Sequence, residues 1–253
     1  MRRVGADGPT TEEPIVLLAT GGAPDGTTAL PRRLPAGSVV VAADAGLARL
    51  HAAGIDAHHL VGDLDSVDRE LVADAIERGT TVHRHAPDKD ATDLELALDL
   101  IVGDLAPRAG IARLLVVGAG GGRLDHLLAD LLALGAERLA GLEVTAHLGP
   151  ARVAVVRPGP ARTVAGAVGE ALSLLPVHGP ARGVTTTGVR WPLVDADLVA
   201  GTTRAMSNEL VGPTATVALR EGVLVALQPG LAAPAVPPRT TPYDPTPRAG
   251  GDR

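Results

Sequence analysis

The chain is poor in the residue types that usually supply cross-links and large core side chains. Its 253 residues include no cysteine and no phenylalanine, and only one tyrosine, one tryptophan and one lysine. Without cysteine, neither disulfides nor thiolate metal sites can form. Tyr243 lies in a proline-rich tail, so Trp191 is the only one of these aromatic residues in the predicted folded body. The core must therefore consist mainly of Leu, Val and Ala side chains.

Other absences narrow the function class. The net charge of −6 leaves no sign of the basic surface that nucleic-acid-binding domains carry. No apolar run approaches the length of a membrane span, and Met1–Glu13 has no apolar signal core. The hydrophobic content of 45% is that of an ordinary globular chain. We expect a soluble, cytoplasmic protein that binds neither nucleic acid nor membranes.

Strand-like and helix-like segments alternate over residues 14–149. Short apolar runs such as Ile15–Ala19, Val39–Ala43 and Leu114–Val117 are typical of strands buried on both faces of a parallel sheet. The longest helical pattern covers Leu124–Leu139, with a leucine stripe that we expect to be buried. This alternation predicts a doubly wound α/β domain with a mostly parallel sheet. Its ligands should bind at the carboxyl ends of the strands.

The pattern changes after residue 150. Helical periodicity disappears, and short apolar runs follow one another with Gly and Pro between them. This spacing predicts an all-β sandwich as a second domain over residues 151–229. Residues 1–13 are polar and residues 231–253 are rich in proline, so we expect a disordered amino terminus and a flexible tail.

A first aspartate cluster, Gly62–Ser66, follows a strand-like run. If this stretch is extended, Asp63 and Asp65 leave on the same face and can hold one cation. Carboxylate oxygens suit a hard ion such as Mg²⁺. The alternative interpretation is a solvated turn in which Asp65 or Ser66 caps a helix.

A second cluster, Asp88–Asp93, contains three aspartates and the only lysine of the chain. Helix capping by Asp90 or Thr92, with acids favoured in the first turn, explains one or two of the acids. It does not explain all three together with Lys89, which can contact a phosphate as a point charge. The two clusters together predict an enzyme that handles a metal–polyphosphate.

A glycine-rich loop, Gly118–Gly122, lies between a predicted strand and a predicted helix. Such a loop lets the backbone approach a phosphate, and the helix amino terminus favours an anion. It is neither a Walker loop nor a complete dinucleotide fingerprint. Arg123, Asp125 and His126 follow at once, and a packed helix-surface histidine is the simpler interpretation of His126.

Two further motifs lie in the predicted β domain. Trp191 follows a Thr-Thr-Thr-Gly-Val-Arg stretch and is either a core residue or a ligand contact. We favour the ligand contact, because the rest of the core is filled by aliphatic side chains. Ser207-Asn208-Glu209 would, by itself, be interpreted as a turn.

Taken in order, these motifs resemble the thiamine pyrophosphokinase family. The Gly-Asp-Leu-Asp-Ser and Thr-Thr-Gly-x-x-Trp elements are the specific ones, and their joint order is stronger than either alone. The stretches that carry the resemblance are Ala43–Gly46, Val61–Ser66, Asp88–Asp93, Gly121–His126, Gly183–Leu193 and Ser207–Glu209.

The resemblance implies a fold, a reaction and partners. It implies an α/β domain followed by a β domain, in a homodimer whose active sites lie near the subunit interface. It implies a Mg²⁺-dependent kinase that transfers the pyrophosphoryl group of ATP to thiamine, giving AMP and thiamine diphosphate. The alternatives are a pyrophosphokinase for another heterocyclic alcohol, such as a hydroxymethylpterin, and a non-catalytic nucleotide-binding protein of the same fold.

The resemblance also implies residue roles. The residues expected to hold the metal are Asp63, Asp65 and Asp90, and together with Asp93 they form the expected catalytic set. The residues expected to bind ATP are Asp44, Asp88, Lys89, Thr92, Arg123 and Asp125. The residues expected to bind thiamine are Asp93, Trp191, Ser207 and Asn208. Either Asp93 or Asp125 could accept the hydroxyl proton.

Overall fold

A computed structural model of the chain describes residues 13–21, 30, 31, 33–86, 88, 90–118 and 123–230. The amino-terminal part of this range alternates strands with helices. Its strands, β1 to β6, are Val16–Ala19, Val39–Ala43, His59–Gly62, Thr81–Arg84, Arg113–Gly118 and Glu143–Leu148. Its helices, α1 to α5, are Gly46–Ala52, Arg69–Glu77, Asp93–Leu100, Ala106–Ala109 and Leu124–Leu134. The expected disordered segment 1–13 lies outside these residues except for Glu13, and the expected tail 231–253 lies outside them completely.

The carboxyl-terminal part contains strands and, over the described residues 151–230, no helix. The strands β7 to β13 are Ala151–Val156, Arg162–Ala165, Ala171–Thr187, Ala196–Leu198, Asn208–Glu209, Thr214–Ala218 and Glu221–Gln228. The two runs that the sequence predicts as separate strands, Ala171–Leu175 and Val184–Val189, belong almost entirely to the single long strand β9.

All thirteen strands form one mixed sheet, with the main order β4-β3-β2-β1-β5-β6-β7-β13-β9-β12-β8. The pairs from β4 to β6 are parallel, and the pairs from β6 onwards are antiparallel. The change of direction occurs at β6 and β7, which are joined by the two-residue turn Gly149-Pro150. A two-residue connection forces antiparallel pairing. The mixed architecture of the prediction is thus confirmed, but the sheet continues across the expected boundary at residue 150.

The apolar core lies on both faces of the parallel strands. Alternate residues of one strand point to opposite faces, so Leu17 packs with α1 and α2 while Leu18 packs with α3. A third cluster fills the space between the antiparallel strands, around Leu172, Leu210 and Leu224. No aromatic ring contributes to these clusters, in agreement with the aliphatic core expected from composition.

Capping residues fix where two of the helices begin. The Asp68 carboxylate accepts a hydrogen bond from the Glu70 amide at 2.7 Å, at the start of α2. The Thr92 hydroxyl accepts one from the Glu95 amide at 3.2 Å, at the start of α3. Both bonds satisfy amide groups that the first helical turn leaves without a partner. Thr92 therefore places Asp93 at the first position of α3.

The prediction for the helix after the glycine loop is wrong in two respects. It ends at Leu134 instead of Leu139, because the chain turns at Gly135 and continues as a 3₁₀ turn. Its leucine stripe is largely exposed: the side chains of Leu124, Leu128 and Leu132 are 68%, 53% and 48% accessible. Only the flank of the helix that carries Leu127 and Leu131 packs against the core.

Among the described residues, no helix is both long and apolar enough to cross a membrane.

Candidate active site

Three aspartates meet at the carboxyl ends of the parallel strands. Asp44 directly follows β2, and Asp63 directly follows β3, its parallel neighbour. Asp93 is the first residue of α3, which packs on both of these strands. Each of the three carboxylates offers an oxygen that lies within 4.8 Å of an oxygen of the other two. We call Asp44, Asp63 and Asp93 the acidic group.

The acidic group has the features of a cation site. All three residues are half-buried, and like charges at this separation repel one another. The Ser66 hydroxyl donates a hydrogen bond to Asp44 Oδ2, but the buried Oδ1 atom of Asp44 has no hydrogen-bond partner. A buried carboxylate oxygen that lacks a donor is costly unless a cation approaches it. Oxygen ligands of this kind suit Mg²⁺.

The backbone around the acidic group is strained in a way that brings its carboxylates together. Asp44 and Leu64 have positive φ angles of 44° and 67°, which are uncommon for residues other than glycine. Gly62 has φ 149°, and a Cβ atom there would lie 3.2 Å from both Asp93 Oδ1 and Asp44 Cβ. Only glycine fits between these two side chains without displacing one of them.

The acidic group differs from the trio predicted to hold the metal. Asp63 belongs to both, whereas Asp65 and Asp90 are exposed and are not members of the acidic group. The Asp65 amide instead donates to Asp63 Oδ1 at 3.1 Å, which orients the Asp63 carboxylate. Sequence reasoning placed Asp44 with the nucleotide and Asp93 with catalysis and thiamine. The expected parallel order of the strands that precede Asp44 and Asp63 is a signal that could have grouped these two residues, but it says nothing about Asp93.

The other residues predicted to bind ATP come, along the chain, between a parallel strand and the helix that follows it, or in the first turn of that helix. Asp88 is exposed, Thr92 caps α3, and Lys89 lies outside the described residues. So do residues 119–122 of the glycine loop, which follows β5. Beyond the loop, Arg123 Nη2 and Asp125 Oδ2 are 2.6 Å apart in an exposed ion pair.

The Arg123–Asp125 pair favours the ionised form of Asp125. The hydrogen bond from Arg123 lowers the pKa of the Asp125 carboxyl to about 2. A carboxylate with so low a pKa is a poor acceptor for a proton near neutral pH. The neighbouring His126 lies on the surface of α5, as the interpretation of a helix-surface histidine expects, but its side chain is exposed and not packed.

Trp191 lies in the loop between β9 and β10 and is not a core residue. Its side chain is 47% accessible, and the Arg190 guanidinium carbon lies 4.9 Å from its ring centroid. The Asn208 amide group holds the Trp191 backbone on both sides: its Oδ1 accepts from the Trp191 amide at 3.1 Å, and its Nδ2 donates to the Trp191 carbonyl at 2.7 Å. The buried Asn208 therefore positions the loop that exposes Trp191.

Ser207 adjoins this loop in a strained conformation. Its φ angle is 52°, and that of Ala205 is 73°. The Ser207 amide donates to the Ser173 hydroxyl at 3.0 Å, which ties the segment to the long strand β9. The structure therefore places Trp191, Ser207 and Asn208 in one neighbourhood. Asp93, the fourth residue expected to bind thiamine, lies with the acidic group in another part of the fold.

Comparison with known proteins assigns both parts to one family. The model of the thiamin pyrophosphokinase catalytic domain matches residues 31–145, and the model of the thiamin pyrophosphokinase vitamin B1 binding domain matches residues 162–224. The first match contains the acidic group and the second contains Trp191. Together they cover more than half of the chain.

Individual relatives agree with these matches. Thiamine pyrophosphokinase of Bacillus subtilis (strain 168) is 26% identical over 188 residues, which are 74% of this chain and 86% of that protein. The crystal structure of a thiamin pyrophosphokinase family protein from Enterococcus faecalis superposes with a TM-score of 0.70 and 26% identity, covering 85% of this chain and 98% of that one. For thiamin pyrophosphokinase from Geobacillus thermodenitrificans the TM-score is 0.66 and the identity 28%, covering 85% and 96%. The chain therefore belongs to the thiamine pyrophosphokinase family.

Proposed function

We propose that this chain is an enzyme that transfers the pyrophosphoryl group of ATP to the hydroxyl of thiamine, with AMP and thiamine diphosphate as products. The observation that carries the proposal is the half-buried acidic group, because a family member that only bound nucleotide would gain nothing from three carboxylates held against their repulsion. The matches to a catalytic and a vitamin B1 binding domain support the choice of thiamine.

The residues at the carboxyl edge fit a Mg²⁺ ion. We assign it to the acidic group, so that Asp63, which also belongs to the predicted metal trio, holds the ion with Asp44 and Asp93. Asp65 and Asp90, the exposed members of the predicted trio, are assigned to the outer side of the same site. When bound, Mg²⁺ neutralises charge on the transferring phosphates and helps to align them. The unpartnered Asp44 Oδ1 atom supports the assignment, since a cation is the partner that it lacks.

The remaining residues of this edge have roles in binding and proton transfer. ATP contacts are assigned to Asp44, Asp88, Lys89, Thr92, Arg123 and Asp125. Arg123 is exposed and held by Asp125, so its guanidinium is presented at the start of α5, where an anion is favoured. Because Arg123 keeps the pKa of Asp125 near 2, we assign proton acceptance from the thiamine hydroxyl to Asp93.

Thiamine is both cationic and aromatic, and the Trp191 side chain suits it. An exposed indole face can stack on the heterocycle and add cation–π attraction of roughly 0.5–2 kcal/mol. Asn208 holds the Trp191 loop, and Ser207 stands beside it with a hydroxyl available to a ligand. Asp93, the remaining residue predicted to bind thiamine, lies with the acidic group in another part of the fold, and its contact with thiamine stays a prediction.

We further propose that two copies assemble, so that active sites lie near the interface. Leu124, Leu128 and Leu132 repeat at intervals of four, form one stripe along α5 and remain about half or more exposed. A stripe of this kind on a helix that starts beside Arg123 is a suitable contact for a second copy.

We also retain the doubly wound and sandwich descriptions of residues 14–149 and 151–229, and a cytoplasmic location, as predictions.

Product analysis tests the proposed reaction. The purified chain should convert ATP and thiamine, in the presence of Mg²⁺, into AMP and thiamine diphosphate in equal amounts, as measured by chromatography. Formation of ADP with thiamine monophosphate would indicate an ordinary kinase. Turnover of a hydroxymethylpterin but not of thiamine would favour the alternative pyrophosphokinase, and no turnover of either would favour a binding protein.

A further inference from the structure

A second cleft lies at the opposite edge of the sheet from the acidic group. Its volume is about 670 Å³, and its walls come from the amino-terminal ends of β5 and β6, the end of β7 and the start of β8. Because β5 and β6 are parallel to β1, their amino-terminal ends face away from the carboxyl edge. The cleft therefore shares no lining residue with the candidate active site.

Three arginines line this cleft, and their charges are only partly matched. Arg162 Nη1 forms an ion pair with Glu143 Oε1, and Arg113 Nε lies 3.9 Å from the same oxygen. One carboxylate is thus shared between two guanidinium groups. Arg157 is paired with Glu137 at 3.5 Å, but the Glu137 side chain is 91% exposed, so solvent screens this contact strongly.

Arg157 and Arg162 are also short of hydrogen-bond acceptors. Their side chains are only 14% and 17% exposed, and the buried Nε atom of each has no hydrogen-bond partner. Arg157 Nη2 donates to the carbonyls of Gly135 and Ala136, so this guanidinium is held at the end of α5. Burial lowers the pKa of Arg157, which is the expected effect where a charge is kept from water without a full set of acceptors.

The rest of the lining is apolar or uncharged, apart from the exposed Glu13 and from Glu143, which pairs with Arg162 and Arg113. Leu142 and Pro160 contribute apolar surface beside the arginines. A volume of about 670 Å³ is much larger than a bare inorganic anion needs and lies within the range of small-molecule sites. The chemistry of the cleft is thus a positive end next to an apolar wall.

We propose that this cleft binds a small phosphate monoester, with the phosphate between Arg113, Arg157 and Arg162 and the organic part against Leu142 and Pro160. A phosphate offers three acceptor oxygens and can bind several guanidinium groups at once, whereas a carboxylate offers two oxygens and suits one bidentate arginine. The site is distinct from the proposed ATP site and does not depend on the proposed reaction.

Calorimetric titration with phenyl phosphate tests the proposal. The titration is done on the full chain in EDTA at constant ionic strength, because without a cation the acidic group repels a phosphate. The wild-type chain should bind one phenyl phosphate per chain with saturation. Arg162→Gln should weaken binding by roughly tenfold or more, since it removes charge-assisted hydrogen bonds. Arg78→Gln, which removes an exposed arginine at the end of α2 that does not line the cleft, should leave affinity unchanged.

Two controls, one protein variant and one ligand without a phosphate, show where phenyl phosphate binds and which part of it is recognised. Arg123→Gln should not alter the affinity, and a loss there with normal binding by Arg162→Gln would place the phosphate at the other edge and overturn the proposal. Phenol should not bind; equal binding of phenol would show an apolar groove without phosphate recognition. Absence of saturable binding to the wild-type chain would also overturn it.

Hydrogen exchange on the wild-type chain tests the same proposal even if Arg162→Gln does not fold. In the wild-type chain, phenyl phosphate should slow amide exchange over residues 140–143 and 155–163, the segments that line the cleft. Protection confined to residues near Asp44, Asp63 or Arg123 would contradict the proposal without any variant.

Discussion

The acidic group and the Trp191 loop are built in different ways. The acidic group draws its three carboxylates from the ends of two strands and the start of a helix, and all three are half-buried. The Trp191 side chain is 47% exposed, and one residue, Asn208, holds its backbone. A change in the acidic group therefore alters the electrostatic balance of a packed region. A change at Trp191 alters an exposed surface that contributes little to the packing of the fold.

Both regions nevertheless carry backbone strain. Among the described residues other than glycine, positive φ angles occur at six positions, and four of these belong to the two regions: Asp44, Leu64, Ala205 and Ser207. Each costs on the order of 1–3 kcal/mol and persists only where the surrounding structure imposes it. Their concentration indicates that geometry at both places is held at the expense of stability, as expected where ligands bind.

The largest effect is expected for Asp63→Asn. This variant removes the one carboxylate shared by the predicted metal trio and the acidic group, so turnover should fall on the order of a hundredfold or more. Without metal, the variant should be at least as stable as the wild-type chain, because the repulsion within the acidic group is relieved. Rates of AMP formation and melting temperatures in EDTA measure the two effects.

Metal titration provides the control for Asp63→Asn. Mg²⁺ should raise the melting temperature of the wild-type chain, because a ligand that binds only the folded state stabilises it. It should raise that of the variant much less. Near-normal turnover of Asp63→Asn at saturating Mg²⁺ would mean that the acidic group is not the metal site.

A smaller effect is expected for Gly62→Ala, which tests how tightly the acidic group is packed. The added Cβ would lie 3.2 Å from Asp93 Oδ1 and from Asp44 Cβ. We expect a loss of stability of about 1–3 kcal/mol and a clear loss of turnover, because the carboxylates must separate. Chemical denaturation and initial rates measure these changes.

Gly79→Ala is the matched control for Gly62→Ala. Gly79 also has a positive φ angle, 99°, but no atom lies within 4 Å of a Cβ built there. It should lose stability through backbone strain alone and keep its turnover. If the two variants lose turnover equally, crowding of the acidic group does not limit activity.

Trp191→Leu should affect binding with little effect on the fold. Because its side chain is about half exposed, the melting temperature should change by only a few degrees at most. The Michaelis constant for thiamine should rise roughly 3- to 30-fold, the loss expected for a cation–π contact, while that for ATP stays constant. Val168→Ala, at another exposed apolar residue of the antiparallel part, is the control and should change neither constant. A large drop in melting temperature with normal thiamine binding would show that Trp191 stabilises the core and does not contact thiamine.

The parallel part of the fold could be predicted more closely than the antiparallel part. The strand Val39–Ala43 and the capping by Thr92 are visible in the sequence, because buried strands and helix starts have local signatures. Strand β9 was predicted as two pieces, because Pro176, Gly179 and Pro180 interrupt its sequence. Pairing with β13 continues the strand on both sides of a register shift between Val177 and Arg182, and β12 pairs with its last residues. Such long-range partners leave no local signal.

The candidate site shows the same limit. The sequence indicated that aspartates at strand ends would meet, since parallel strands end at one edge. It could not indicate that Asp93, at the first position of α3, approaches Asp44 and Asp63 more closely than Asp65 does. That depends on how α3 packs on β2 and β3. The exposure of Leu124, Leu128 and Leu132 was likewise hidden, because an apolar stripe has the same periodicity whether it faces the core or a second copy.

The smallest expected effect is a pH dependence of stability that arises in the parallel part of the fold, at His59, and not at the Trp191 loop. His59 lies at the start of β3, the strand that ends beside Asp63, and its Nδ1 is 3.1 Å from His83 Nε2. Burial lowers the pKa of His59, and the nearby His83 and His58 lower it further, while Asp104 opposes them. The unfolded chain therefore takes up a proton at His59 at higher pH than the folded chain does. Stability from this group is complete above the unfolded pKa of about 6.5 and is lost as the pH falls below it.

His59→Gln should accordingly reduce the fall in melting temperature between about pH 7.5 and about pH 5.5 by a few degrees. His51→Gln, at an exposed histidine of α1, and Trp191→Leu should both keep the wild-type fall. We expect this difference because His59 is half-buried within the parallel part that carries the acidic group, whereas Trp191 lies on a surface of the antiparallel part. If His59→Gln shows the same fall as the wild-type chain, the His59–His83 contact does not couple folding to pH.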